Sequence, residues 1–233
     1  MISPTVVKII SHLPKGLVVF LSEKILNNYI KKYANIEVKG LENLKDIKRP
    51  ILFICNHLSN SNALVINNVL KDQDITFVAG VKLSYNPLTS LGMSMTKTIS
   101  IKPNTADKGS ISNIIKTLKH GNNILIFPEG TRSRSGSMIE GKKGVVLIQK
   151  LSRATIIPMS VAGTEKLLPI NEEGMEKEKF QYADVKVTIG KSLDMPKKEE
   201  DEEKHHYEDR ILNYMMRSIA ALLPKEYQGV YKI

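Results

Sequence analysis

Two short apolar runs, Ile51-Leu52-Phe53-Ile54-Cys55 and Ile124-Leu125-Ile126-Phe127, each stop abruptly in a polar loop. Runs of this length and composition fit strands buried on both faces of a sheet, and such strands are joined by helical crossovers. Segments of helical period lie between them at residues 63–70 and about 105–119, the latter closed by Gly121, and beyond them at 144–151 and 207–223. Further strands are expected at residues 75–79, 98–101, 155–161 and 185–189. The expected fold is therefore α/β: a single domain over residues 36–233, with a mostly parallel central sheet flanked by helices. The run at 196–210 is dense in both signs of charge and reads as a solvated loop before the closing helix.

Residues 1–35 have a different character. Apolar positions such as Ile9, Ile10, Leu13, Leu17, Phe20, Leu21 and Ile25 are mixed with Lys8, Lys15, Lys24, Lys31 and Lys32. This reads as an N-terminal pair of basic amphipathic helices broken at Pro14, which either dock on an anionic membrane surface or pack on the core. The longest apolar run here, residues 17–21, is far too short to span a bilayer. A cleaved signal peptide also fits poorly, because Pro14, Lys15 and Gly16 interrupt the apolar region.

Charge narrows the partners. Lys+Arg of 34 against Asp+Glu of 24 gives a net charge of +10, which favours a negatively charged ligand, carrier or membrane face. Nucleic acid fits less well, since Trp is absent and the basic residues are spread along the chain. One cysteine excludes an internal disulfide and suits a reducing compartment. The five histidines show no metal-ligand spacing beyond the adjacent His205 and His206, so no metal site is expected.

In open α/β sheets ligands gather at the carboxyl ends of strands, where residues 56–62 and 128–133 both fall. In the first loop His57 is the side chain that can exchange a proton near neutral pH, so it is either a candidate general base or a hydrogen-bonded loop residue. Ser59, Asn60, Ser61 and Asn62 all suit a helix cap. In the second loop Arg132 offers a planar fork for phosphate, and Gly130 lets backbone N–H groups approach the same ligand. Glu129 is placed to orient Arg132 or to accept from a substrate hydroxyl. Residues 134–143, with Arg134, Lys142 and Lys143, read as a lid or a solvated loop.

Together these segments resemble a known family. Asn56-His57-Leu58-Ser59 and Phe127-Pro128-Glu129-Gly130-Thr131-Arg132-Ser133 look like the first and third signature blocks of the lysophosphatidic acid (1-acylglycerol-3-phosphate) acyltransferases. Lys82, Pro87, Gly92 and Ile99-Ser100-Ile101-Lys102 resemble a looser second block, with Lys102 where an arginine is usual. Ile156-Ile157-Pro158-Met159-Ser160 resembles the fourth, so the likeness runs over about residues 36–190.

The resemblance implies transfer of a fatty acyl group from an acyl carrier protein or coenzyme A thioester to the free hydroxyl of lysophosphatidic acid, giving phosphatidic acid. The thioester is then a co-substrate, no separate cofactor is needed, and the enzyme works at the cytoplasmic face of a membrane as a peripheral or monotopic protein. His57 becomes the base. Lys82, Lys102, Glu129, Gly130, Thr131 and Arg132 become the substrate-binding residues. Cys55 is read as a buried strand residue rather than a nucleophile.

One position departs from the family pattern. Where the family has an aspartate five residues after the histidine, this chain has Asn62. Asn62 Oδ1 can in principle orient the imidazole, but it cannot stabilise an imidazolium as a carboxylate does; in Ser-His-Asp hydrolases the same Asp-to-Asn exchange costs about 10⁴ in turnover. Asp72 and Asp74 lie at the far end of the following helix, too distant to substitute, while Glu129 and Asp107 stay open as remote acids. Two further readings are therefore a catalytically weak lipid- or carrier-binding homologue, and acyl transfer to a different acceptor.

Overall fold

The computed structural model describes residue 10 and residues 12–81, 83, 87–102 and 107–233. Seven strands form one sheet: β1 (Ala34–Lys39), β2 (Ile51–Cys55), β3 (Ile75–Gly80), β4 (Lys97–Ile101), β5 (Asn123–Ile126), β6 (Thr155–Ala162) and β7 (Ala183–Ile189). Their order across the sheet is β1-β7-β6-β2-β5-β3-β4. All neighbouring pairs are parallel except β6 with β7, so β1 and β7 run against the other five. The helices are α1 (Lys15–Tyr33), α2 (Ser61–Val69), α3 (Pro87–Ser94), α4 (Lys108–Lys119), α5 (Gly144–Ser152), α6 (Thr164–Leu167) and α7 (Lys204–Ala220).

Alternation along β2 builds two cores. Ile51, Phe53 and Cys55 join Leu26 and Ile30 of α1 and Leu64 to Ile66 of α2 on one face. Leu52 and Ile54 join Ile114 and Leu118 of α4, Val145 and Ile148 of α5, and Met215 and Met216 of α7 on the other. All five β2 side chains are buried, which is why the run reads as continuously apolar. Asn123 locks the centre at one end, accepting the Ile51 N–H at 3.0 Å and donating to the Gln73 carbonyl at 2.7 Å. Asn56 does the same at the other end, pairing with both the N–H and the carbonyl of Val161 at 2.8 Å.

The expected α/β fold with a mostly parallel sheet is the fold observed. The N-terminal helix pair is described only from its second member, α1; the first falls on residues outside those described. At 19 residues α1 extends about 29 Å, but no helix among the described residues is long and apolar enough to cross a membrane. The boundary expected between residues 35 and 36 falls inside β1, a half-exposed edge strand whose alternating polar residues hid it. The charged run is corrected too: α7 begins at Lys204, and Glu202 holds Arg210 at 2.6 and 2.8 Å, so the end of the expected loop is helix.

Candidate active site

Because β2 and β5 are hydrogen-bonded neighbours in register, with Ile54 opposite Ile126, the loops that follow them leave the sheet side by side. Glu129 ties them together. Its Oε1 accepts the backbone N–H of His57 at 2.7 Å and its Oε2 accepts the N–H of Ile139 at 2.9 Å. The Ser133 N–H returns to the His57 carbonyl at 2.8 Å. Glu129 is fully buried, and burial pushes its carboxyl up to about 7 against the pull of those two N–H groups. It does not orient Arg132, and with no exposed surface it is not placed to accept from a substrate; its job is to fix the main chain under the histidine.

The His57 ring lies flat on Phe127, with centroids 4.0 Å apart and planes 11° from parallel. Its Nδ1 is buried and has no hydrogen-bond partner among the described residues. Burial, aided by the nearby Arg132 cation, lowers the imidazole to about 3, so it is neutral at physiological pH. Asn62 does not reach this nitrogen. Its Oδ1 accepts from the Ser59 N–H (2.9 Å) and the Thr164 hydroxyl (3.0 Å), and its Nδ2 donates to the Asn56 carbonyl (3.1 Å). The expectation that Asn62 orients the base is thus replaced by a structural role: it knots the first loop to α6. The Ser59 hydroxyl extends the knot to the Leu168 carbonyl at 2.7 Å.

Arg132 does stand beside His57, as the loop argument required, but it is not alone. Its guanidinium donates to Glu178 Oε1 at 2.5 Å, and Glu178 Oε2 accepts from Asn60 Nδ2 at 2.9 Å. Glu178 lies in the stretch between α6 and β7, remote in sequence from both loops, so no spacing rule could have picked it out. Asp107 is committed elsewhere, capping α4 through the Ser110 N–H and accepting the Lys102 N–H at 3.0 Å. Residues 134–143 are a loop with its charged side chains Arg134, Lys142 and Lys143 exposed, as a solvated loop requires, but it is pinned at Met138, which is buried and whose N–H donates to the Tyr227 carbonyl at 2.8 Å. Cys55 is fully buried at the end of β2, with its thiol pushed well up, as expected of a packing residue.

These groups open onto a cavity of about 570 Å³, within the usual size for a ligand site. Its polar lining includes His57, Asn60, Gly130, Thr131, Arg132, Lys142, Lys102 and Glu178, and its apolar depth includes Phe77, Ala79, Ile111 and Ile148. Lys82 lies outside the described residues. Glu203, His205 and His206 form an exposed group at the start of α7, and none of the three lines the cavity.

A recess lined by Arg132, Lys102 and Lys142 and carrying a neutral histidine thus opens onto an apolar cavity at the carboxyl edge of a mostly parallel sheet, where α/β proteins bind ligands. Residues 35–162, more than half of the chain, match the family model "Acyltransferase", and the chain belongs to that family. It is 26% identical over 166 residues to the 1-acyl-sn-glycerol-3-phosphate acyltransferase LPAT1, chloroplastic, of Arabidopsis thaliana, covering 70% of this chain and 45% of that one. It is 28% identical over 158 residues to a probable 1-acyl-sn-glycerol-3-phosphate acyltransferase of Mycoplasma genitalium, covering 63% and 57%. The chain thus spans about half the length of these curated relatives. The crystal structure of the 1-acyl-sn-glycerophosphate (LPA) acyltransferase PlsC from Thermotoga maritima shares the fold, with a TM-score of 0.61 at 20% identity over 89% of this chain and 81% of that one.

Proposed function

We propose that this protein transfers a fatty acyl group from a thioester to the free hydroxyl of 1-acylglycerol 3-phosphate. The observation that carries the reading is the placement of His57 and Arg132 on the wall of one apolar cavity. Arg132, with Lys102 and Lys142 on the same lining, takes the phosphate, and the cavity takes acyl chain. His57 removes the hydroxyl proton as the oxygen attacks the thioester carbonyl; the thiol then leaves with that proton, and no acyl-enzyme forms. A base at about 3 is weak, but one cause of that value is the Arg132 charge. Burial is the larger cause; a phosphate dianion on Arg132 offsets the smaller one and so moves the imidazole upward once the acceptor is bound.

The donor is an acyl carrier protein or coenzyme A thioester, both anionic partners suited to a net charge of +10. Docking at the cytoplasmic face of an anionic membrane is supported by α1, where Leu17 and Phe20 are exposed among exposed Lys15, Lys24, Lys31 and Lys32. A second reading is favoured by one observation: the unpartnered Nδ1 leaves the imidazole tautomer unfixed, as in a homologue that binds lipid or carrier with little turnover. Formation of phosphatidic acid by the purified chain, assayed with each donor, separates the two.

A further inference from the structure

The Glu178 side chain is only 1% exposed, yet it lies on the cavity wall between two groups from separate loops, Arg132 and Asn60. A buried carboxylate is retained only when its oxygens are satisfied, and here each oxygen has one partner. The backbone that carries it is also held. Two residues on, the Phe180 ring packs on Tyr29 and Tyr33 of α1 at 5.3 and 6.2 Å, and the Gln181 N–H donates to the Leu167 carbonyl at 2.9 Å. Glu178 is therefore a fixed point against which a flexible arginine can be set.

We infer that Glu178 is a positioning residue for the acceptor phosphate: it holds one edge of the Arg132 guanidinium so that the rest of the fork is presented to the headgroup in the cavity. This rests on the acyl-transfer reading above and assigns a role to a residue beyond the stretch matched by the family model, which ends at residue 162. Arg132 can donate through several N–H groups in one plane, so a carboxylate on one edge leaves others for phosphate. Among the described lining residues, Arg132, Lys102 and Lys142 face the single carboxylate of Glu178, an excess of positive charge that suits a phosphate monoester.

Two effects of Glu178 oppose each other, and their signs differ. Its charge weakens phosphate binding, whereas its hold on Arg132 strengthens it. Glu178→Gln removes the charge but keeps an oxygen for Arg132, with the Asn60 amide turned to match; Glu178→Ala removes both. Binding of glycerol 3-phosphate by calorimetry, KM for each substrate, and thermal unfolding are measured on all three proteins. In Glu178→Ala, glycerol 3-phosphate binding weakens and the lysophosphatidic acid KM rises by on the order of ten- to a hundredfold, with the thioester KM unchanged; Glu178→Gln binds at least as well as the parent. Tighter or unchanged phosphate binding in a folded Glu178→Ala overturns the assignment, as does a parent that does not bind glycerol 3-phosphate. A parent that binds it through Glu178 but transfers no acyl group keeps the assignment and removes the acyl-transfer reading.

Discussion

Glu129 holds His57 by its backbone N–H, at 2.7 Å, and leaves the imidazole to Phe127. The carboxyl of the second loop is thus bonded to the main chain of the first, which ties the two loops together while the imidazole has no carboxylate partner among the described residues. Both groups are buried against their charged forms, and this gives them opposite effects on stability.

Between about pH 3 and 6.5 the unfolded chain protonates His57 while the native protein does not, so this group raises stability as pH increases. Glu129, pushed from 4.5 up to about 7, keeps its proton only in the native state between about pH 4.5 and 7, so over that range its contribution falls as pH increases. From about 4.5 to 6.5 the two oppose. Relative to the parent, His57→Gln is expected to lose stability as pH rises through this window, and Glu129→Gln to gain it. Unfolding temperatures recorded from pH 4.5 to 7 check both slopes, and parallel curves for all three proteins contradict the assignment.

Asn62→Asp places a carboxylate oxygen against the Asn56 carbonyl that Nδ2 now serves. The variant is expected to lose about 1–3 kcal/mol of stability, read by denaturant unfolding. Turnover per folded molecule stays within tenfold of the parent, because Ser59 and Thr164 still hold the other oxygen away from the ring. A larger gain would show that the carboxylate reaches His57 after all.

What could be read from sequence followed burial. Strands β2 and β5 were legible because they are buried throughout and carry unbroken apolar runs, and the two loops because strand neighbours bring their carboxyl ends together. β1 was not, since an edge strand alternates and Asn35, Glu37 and Lys39 dilute its signal. His57 and Arg132, the candidate base and the candidate phosphate ligand, were legible as residue types. The roles of Asn62 and Glu129 differ from the expected ones because their bonds go to groups that only the folded chain brings near: backbone N–H groups for Glu129, and the Ser59 N–H, the Asn56 carbonyl and the Thr164 hydroxyl for Asn62. Glu178 was invisible, being 46 residues from Arg132.

Ala79 sits on β3 in the apolar lining of the cavity. Ala79→Phe fills part of the 570 Å³ and is expected to shift preference toward shorter acyl chains, with the KM for the phosphate headgroup little changed. Competition between thioesters of different length measures this. An unaltered chain-length profile in a folded variant would assign the acyl chain to another surface.

Phe20 is 58% exposed on α1 and, among the described residues, does not pack against the buried core. Phe20→Glu removes an apolar anchor and adds a charge that anionic lipid repels. Co-sedimentation with vesicles containing anionic lipid is expected to fall several-fold, while acyl transfer to soluble, short-chain acceptor is retained. Equal binding by parent and variant excludes this face of α1 as the docking surface.

The most direct measurement is phosphatidic acid formation from lysophosphatidic acid by the purified chain, with acyl carrier protein and coenzyme A thioesters in turn, for the parent and His57→Ala. The account predicts product with at least one donor, and a loss in His57→Ala of about 10²-fold or more per folded molecule. A parent that binds lysophosphatidic acid but forms no product with either donor, or a His57→Ala protein as active as the parent, would contradict it.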